Sequence, residues 1–303
     1  MPSRDEEIAP SFEAPSGGPA RPIGKLKSAM RRVQLPGFDG DGLVLDIGCG
    51  SHPHPRAHFC CDAFSSDAER SAPLKIDRPF VWADAHRLPF KSKSFGFSVF
   101  SHVLEHLSDP APVLREIQRC SRAGYIETPA PFTEFCVPYT FHASRCSVST
   151  SGELYIELKS RWDEGLQSCA SEAVYADAMK LWWRLYALDP LLTLTRFSWR
   201  DEIRFRVVGQ PTGGSKITEA QDDAAGAAPK TESFGAQRSR LRNVLVDSAY
   251  ALLRPRRFPS HHDLLCCPDC HGELDFGAYP ESVTCAPCAK RFPSFRGHLD
   301  FRS

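Results

Sequence analysis

One stretch constrains the fold more than any other: Leu43 to Gly50, which reads LVLDIGCG. Val44, Leu45 and Ile47 form a short apolar run that suits a buried parallel strand. The run carries Asp46 and ends in Gly48 and Gly50. Glycines at the C-terminal end of a strand remove the Cβ atoms that would keep a ligand away from backbone. In open α/β sheets, ligands sit at that end of the strands.

The following residues narrow the choice of ligand. A dinucleotide fingerprint needs a third glycine at position 53, opening a helix. This chain has Pro53 and then Pro55. A phosphate-binding P-loop needs Gly-Lys-Ser/Thr, which does not follow. What remains is the D-x-G-x-G turn of S-adenosylmethionine-dependent methyltransferases, beside the plainer alternative of an ordinary strand-to-loop turn.

A chain of 303 residues can hold one large domain and something small. Its formal net charge is zero, so no global field draws it to nucleic acid. Neither a secretory segment near Met1 nor an apolar run long enough to span a bilayer is evident. Four of the twelve cysteines form two C-x-x-C pairs near the C-terminus, which is metal spacing. The other eight are scattered and read as reduced thiols, so the expected compartment is the cytoplasm.

Residues 1–24 are rich in Pro, Gly, Ser and acidic residues and read as a disordered tail. Lys25 to Arg32 is a basic segment with a solvated face. The expected strands after the first are Phe59 to Cys61 ending at Asp62, Phe80 to Asp84, Phe95 to Phe100, and Gly124 to Glu127. Pro53 and Pro55 forbid a regular helix after the first strand. Asp109 before Pro110 is a helix start. Val113, Leu114, Ile117 and Cys120 then recur at helical spacing and should face the sheet. The order implies a doubly wound α/β sheet. Asp62 ends the second strand, where a carboxylate can hold two vicinal ribose hydroxyls, or merely cap a turn. Asp84 ends the third strand and can accept from an adenine amino group, or start a loop.

DIGCG, the strand end at Asp62, ADAHRLPF, SFGFSVFSHVLEHL and the helix running into GYIETPAP together resemble a class I methyltransferase of the type-11 group, over roughly residues 40 to 135. Three departures stand out: the proline-rich stretch after Gly50, Gly96 where the family usually has Asp, and Ser121-Arg122-Ala123-Gly124 in place of a Pro-Gly-Gly turn. The resemblance implies a Rossmann-like doubly wound sheet that binds S-adenosyl-L-methionine. Asp46, Gly48 and Gly50 would hold the amino-acid end of the cofactor, Asp62 its ribose and Asp84 its adenine. Ser101 and His102 follow the fourth strand, where the methyl group would be delivered. His102 is the candidate general base or acceptor-orienting group, with a helix-capping role as the alternative. Glu105 and His106 are further candidates.

The methyltransferase domain is expected to span 25–210. Within it, Glu153 to Leu158 suggests a hairpin, Glu172 to Tyr186 an amphipathic helix, and Phe197 to Val208 the sheet's last strand. Phe132, Phe135, Tyr139, Phe141 and Trp162 could line a pocket, with packing the favoured role. A linker at 211–236 leads to a basic amphipathic helix at 237–261, read as docking on the domain or as touching phosphate. Residues 262–303 form the last unit. Cys267 and Cys270 pair with Cys285 and Cys288 across fourteen residues. Four thiolates so placed close a structural Zn²⁺ site, which a segment this small needs in order to fold. Cys266 is spare. The segment resembles small zinc-ribbon proteins that partner and activate methyltransferases acting on RNA and a translation factor.

The expected function is therefore in-line methyl transfer from S-adenosylmethionine to a small molecule or a sugar or lipid conjugate. One alternative is an RNA methyltransferase using the basic arm and ribbon, although Ser101-His102-Val103-Leu104 replaces the Asn-Pro-Pro-Tyr motif of base N-methyltransferases. Another is a non-catalytic scaffold. A protein partner bound through the ribbon fits the same resemblance.

Overall fold

The computed structural model describes residues 33–65, 72–137, 139, 141–160, 166, 170–209, 248 and 250–302. The expected tail, the basic segment before residue 33, the linker, most of the basic arm, and Trp162 lie outside these residues.

Each apolar run proposed as a strand forms one. β1 (Val44–Ile47), β2 (Phe59–Asp62), β3 (Phe80–Trp82), β4 (Phe95–Ser101) and β5 (Ser121–Pro129) lie parallel, and β8 (Leu194–Arg200) closes the sheet antiparallel to β5. The order is β3-β2-β1-β4-β5-β8. The strand order, which runs one way from β1 to β3 and the other from β4 onward, reverses between parallel β1 and β4; this is the topological switch point of a doubly wound sheet, and it opens a crevice at the strands' C-terminal ends. α1 (Pro110–Cys120) begins after Asp109 and buries Val113, Leu114, Ile117 and Cys120. Asp109 occupies the cap position without a side-chain hydrogen bond, so Pro110 sets the start through its fixed φ. Gly96 has a steric reason. A Cβ there would lie 2.5 Å from the Asp41 carbonyl oxygen and 3.0 Å from Gly42 Cα.

Among the described residues, the links β1–β2, β2–β3 and β3–β4 carry no helix. A right-handed β3–β4 crossover would put its helix on the same face as α1. The C-terminal segment covers that face instead. It begins with α4 (His261–Leu264) and continues into a four-stranded sheet of β10 (Leu274–Asp275), β11 (Ser282–Cys285), β12 (Arg291–Phe295) and β13 (His298–Leu299). Leu264, Leu265, Val283, Phe292, Leu299 and Phe301 join the same buried cluster as Phe59, Phe90, Phe95 and α1. Backbone bonds fasten the seam: Phe301 N–H donates to Trp82 O at 2.8 Å, Lys91 N–H to Leu264 O at 2.8 Å, and Cys266 N–H to Pro89 O at 3.0 Å. Spare Cys266 is thus buried against the sheet.

The remaining segment departs from the sequence reading. Phe197 to Val208 is two strands. The chain turns at Asp201, with φ +61°, and then forms β9 (Phe205–Val208). β9 pairs in parallel with β7 (Leu154–Leu158), which forms an antiparallel hairpin with β6 (Ser144–Val148). The expected hairpin is therefore the centre of a second sheet. α2 (Pro131–Cys136) precedes it, and α3 (Glu172–Leu188) follows. Only Met179 of α3 is buried, whereas Val174 and Leu181 are exposed. Phe132, Phe135, Tyr139 and Phe141 are also exposed, although Tyr139 and Phe141 pack against each other and on His142.

Candidate functional site

Three carboxylates stand at the C-terminal ends of adjacent strands. Asp46 lies within β1, 4% exposed, and its Oδ2 accepts from His54 N–H at 2.6 Å. Burial raises its pKa to about 6, against the lowering influence of that bond and of the Arg78 charge. Asp62 ends β2. Its Oδ2 accepts from Gly50 N–H at 3.0 Å and its Oδ1 from Phe64 N–H at 3.0 Å. Asp84 follows β3 and accepts at Oδ1 from His86 N–H (2.9 Å) and Nδ1 (2.7 Å). Burial opposes ionisation of Asp84, but the His86 bonds prevail and hold its pKa low, while Asp84 raises that of His86.

The glycine turn is folded onto β2. Gly48 and Cys49 N–H both donate to Cys61 O, at 2.8 and 3.3 Å. Gly48 has φ +69°, and a Cβ there would meet Val103 Cγ2 at 2.4 Å, so the residue is required by packing as well as by backbone shape. A Cβ on Gly50 would find only the Gly48 carbonyl, at 4.0 Å. Asp62 borders this side of the turn through its bond to Gly50. A cavity of about 210 Å³ lies elsewhere, at the ribbon seam by Phe80, His261 and His298, and includes none of these groups.

A second constellation surrounds the end of β4. Ser101 is registered against Glu127 on β5, and its Oγ lies 3.4 Å from Glu127 Oε1. His102, at φ +56°, points Nδ1 at Glu105 Oε1 (3.2 Å) and Nε2 at Glu127 Oε1 (3.5 Å). Burial opposes its charge, but the two carboxylates outweigh burial and lift its pKa to about 9. Next to it, burial lowers the pKa of His106 to about 4. The His106 ring stacks on Phe141 at 5.6 Å and meets His142 edge-on at 4.7 Å. His142 Nδ1 pairs with Glu134 Oε1 at 2.5 Å, and Lys159 Nζ holds Glu134 Oε2 at 2.6 Å. Together these partners keep the pKa of Glu134 low despite its burial.

The sequence singles out Ser101, His102, Glu105 and His106. Glu127, Glu134, His142 and Lys159 are the partners it misses. Glu127 had a signal, since it ends the fifth strand beside the fourth; His142 and Lys159 lie in segments without periodicity.

The four C-terminal cysteines converge. Cys267 Sγ and Cys288 Sγ are 3.7 Å apart, Cys270 Sγ and Cys285 Sγ are 3.4 Å apart, and all four lie within 4.8 Å of one another. Zn–S bonds of about 2.3 Å in a tetrahedron put sulfurs about 3.8 Å apart. The two C-x-x-C turns share a form: His271 and Ala289 each donate N–H to the first cysteine of their turn, with φ +56° and +58°. The donor set and spacing fit a closed four-thiolate centre.

Residues 45–126 match the family model described as a methyltransferase domain. No curated protein sequence matches the chain. Among solved structures, one similar chain is a Thermotoga maritima methyltransferase described as a possible histamine N-methyltransferase (17% identity, TM-score 0.29, 36% of this chain and 56% of that one). Another comes from a complex of a methyltransferase activator and a methyltransferase of Haloferax volcanii (23% identity, TM-score 0.27, 35% and 52%). A third is a Mesorhizobium loti methyltransferase (15% identity, TM-score 0.33, 58% and 97%). The chain thus spans about half the length of the first two. The family match falls on β1 to β5 of the sheet described above, so this part of the chain is similar to a methyltransferase domain.

Proposed function

We propose that the chain moves a methyl group from S-adenosylmethionine to a small molecule or a sugar or lipid conjugate. The observation that carries this choice is the lining of the β4 end. Carboxylates (Glu105, Glu127) flank His102 at the delivery point, and the exposed Phe141 ring stacks on His106 beside it. Clustered carboxylates repel a polyanion, and an aromatic shelf favours an apolar or sugar face. Arg254, in the described end of the basic arm, is spent on the Asp77 carbonyl.

The bound cofactor supplies an electrophilic methyl group on its sulfonium. The protein's work is binding, alignment and exclusion of water. Asp46 faces the cofactor's ammonium, with Gly48 and Gly50 giving access; Asp62 accepts from the ribose and Asp84 from the adenine amino group. Ser101 borders the transferred methyl. His102 has both ring nitrogens engaged by carboxylates, so we assign it to orienting Glu105 and Glu127 and the acceptor rather than to taking a proton. Cys267, Cys270, Cys285 and Cys288 hold a structural Zn²⁺. The ribbon serves its own sheet first, and any protein partner would bind its outer face. Free cysteines throughout the described chain suit the cytoplasm, and no described helix is long and apolar enough to cross a membrane.

Calorimetric titration of S-adenosylmethionine into zinc-loaded protein tests the cofactor site. Asp62→Ala should weaken binding at least tenfold, about 1.4 kcal/mol. A folded protein that binds no cofactor would sink the enzyme reading and leave the scaffold. Tight, steeply salt-dependent RNA binding would select the RNA alternative.

A further inference from the structure

The β4 constellation contains a set of donors that methyl transfer does not require. Glu105, His106 and His142 each offer one ligand atom, all within 4.8 Å of one another. Glu105 is 1% exposed, and its two oxygens differ. Oε1 faces His102, whereas Oε2 is buried without a hydrogen-bond partner. A buried, unpartnered carboxylate oxygen is costly and needs a cation or a donor. His142 is 8% exposed, and Glu134 holds its Nδ1 at 2.5 Å. That bond fixes the ring and leaves Nε2 as the ligating nitrogen. A carboxylate behind a histidine is the usual support of a metal-bound imidazole. Lys159 on the other oxygen of Glu134 completes that support.

We propose that Glu105, His106 and His142 bind a divalent first-row transition cation, distinct from the zinc of the ribbon. Two imidazoles and one carboxylate suit Zn²⁺, Fe²⁺ or Mn²⁺ and leave coordination positions open. Bonds of about 2.1 Å keep two ligand atoms within about 4.2 Å, so closure needs a contraction of about 0.6 Å at the widest pair. Glu105 and His106 are adjacent on the single turn Leu104–His106, and the turn continues from Ser101 and His102. The open positions therefore lie beside the proposed acceptor, and on the methyl-transfer reading they would receive an acceptor oxygen. The binding itself does not rest on that reading.

The test is titration with Co²⁺ of the full chain loaded with a single equivalent of zinc, which the four thiolates take first, without S-adenosylmethionine. Zinc keeps the four cysteines occupied, and a nitrogen and oxygen site gives cobalt d–d absorbance without the near-ultraviolet thiolate charge-transfer band. We expect one cobalt per chain of this type. Its proton NMR spectrum should show hyperfine-shifted resonances from two histidines, a readout that needs no variant. Glu105→Gln and His142→Asn should lose the site, and Glu134→Gln should weaken it about tenfold. Zinc content and near-ultraviolet circular dichroism report whether each variant is folded. No cobalt beyond the ribbon site, cobalt with thiolate bands only, or cobalt without histidine resonances would each overturn the proposal. Uptake unchanged in folded Glu105→Gln would do the same.

Discussion

The two halves of the main sheet are built differently. On one side of the switch point, β4, β5 and β8 are covered by α1, which lies between β4 and β5 in the chain. On the other side, β1, β2 and β3 are joined by links without a helix among the described residues, and the C-terminal segment supplies much of their cover. The first half is completed by neighbours in sequence. The second is completed by residues such as Phe295, whose carbonyl accepts from Trp82 Nε1 at 2.9 Å across 213 positions. The half proposed to hold the cofactor thus depends for its cover on the segment that carries the four-cysteine cluster.

The largest effect should come from removing that metal. A structural zinc site contributes about 10–16 kcal/mol of apparent binding energy to the fold it closes. Chelation, or Cys270→Ser with Cys285→Ser, should unfold the ribbon and expose Phe90, Leu265 and the β3 edge. Hydrogen exchange checks this half by half: amides of β2, β3 and β13 should lose protection, and those of β4, β5 and α1 should keep most of theirs. Uniform loss across the sheet would show that the halves are one cooperative unit.

The next effect belongs to Asp46. Its pKa in the folded protein is about 6 against 3.8 for the free group, because burial penalises the charge. The folded state therefore binds its proton more tightly than the unfolded state does. Ionised Asp46 destabilises the fold above pH 6, and the penalty is relieved as pH falls from 6 toward 3.8. Asp46→Asn should stabilise the protein at pH 7 by about 3 kcal/mol in chemical denaturation. Cofactor affinity should move the other way. An ammonium partner wants the carboxylate, so binding should weaken about tenfold per unit below pH 6, and Asp46→Asn should flatten that slope. Arg78 and Asp62, the other charges bearing on Asp46, are unchanged in this variant.

What the sequence revealed follows from where the information sits. Asp46 lies within its apolar run and Asp62 and Asp84 close theirs, so the strands and the placing of three carboxylates along them were readable together. The helix over 110–120 announced itself through Asp109-Pro110 and four apolar positions at helical spacing. The four cysteines were readable because their chemistry fixes their geometry. The ribbon's docking was not readable, since the Trp82–Asp300 bridge and the Cys266–Pro89 bond carry no local pattern. Phe197 to Val208 misled because alternation is continuous in β8 and β9, and only the left-handed turn at Asp201 separates them. Glu134 and His142 come together from α2 and the loop before β6, a meeting that neither element's periodicity encodes.

Gly48 ties the two halves at their junction, and its substitution comes third. In Gly48→Ala the new Cβ needs φ +69° and meets Val103 Cγ2 at 2.4 Å. Together these should cost about 2 kcal/mol. Val103→Ala in the same chain should recover the steric part and leave the backbone part, which a double-mutant cycle separates. No recovery would mean that Gly48 acts only through its backbone.

The smallest effect tests whether the ribbon reaches the cofactor site. Arg302 lies 5.0 Å from the ring centres of both Trp82 and Phe295, donates from Nε and Nη2 to Asp300, and donates from Nη1 to Ala63 O at 3.0 Å. Arg296 Nη1 donates to Ser65 O at 3.1 Å. Two arginines of the C-terminal segment thus hold the loop that leaves Asp62. A stacked, partly buried arginine of this kind contributes about 1 kcal/mol. Arg302→Met keeps the apolar contact and drops the donors, so zinc content and overall unfolding should change little. If the ribbon shapes the loop, S-adenosylmethionine affinity should fall about threefold, the size of half such a contribution, and Arg296→Met should add to it. Unchanged affinity in the double variant would confine the ribbon to covering the sheet, with no part in placing Asp62.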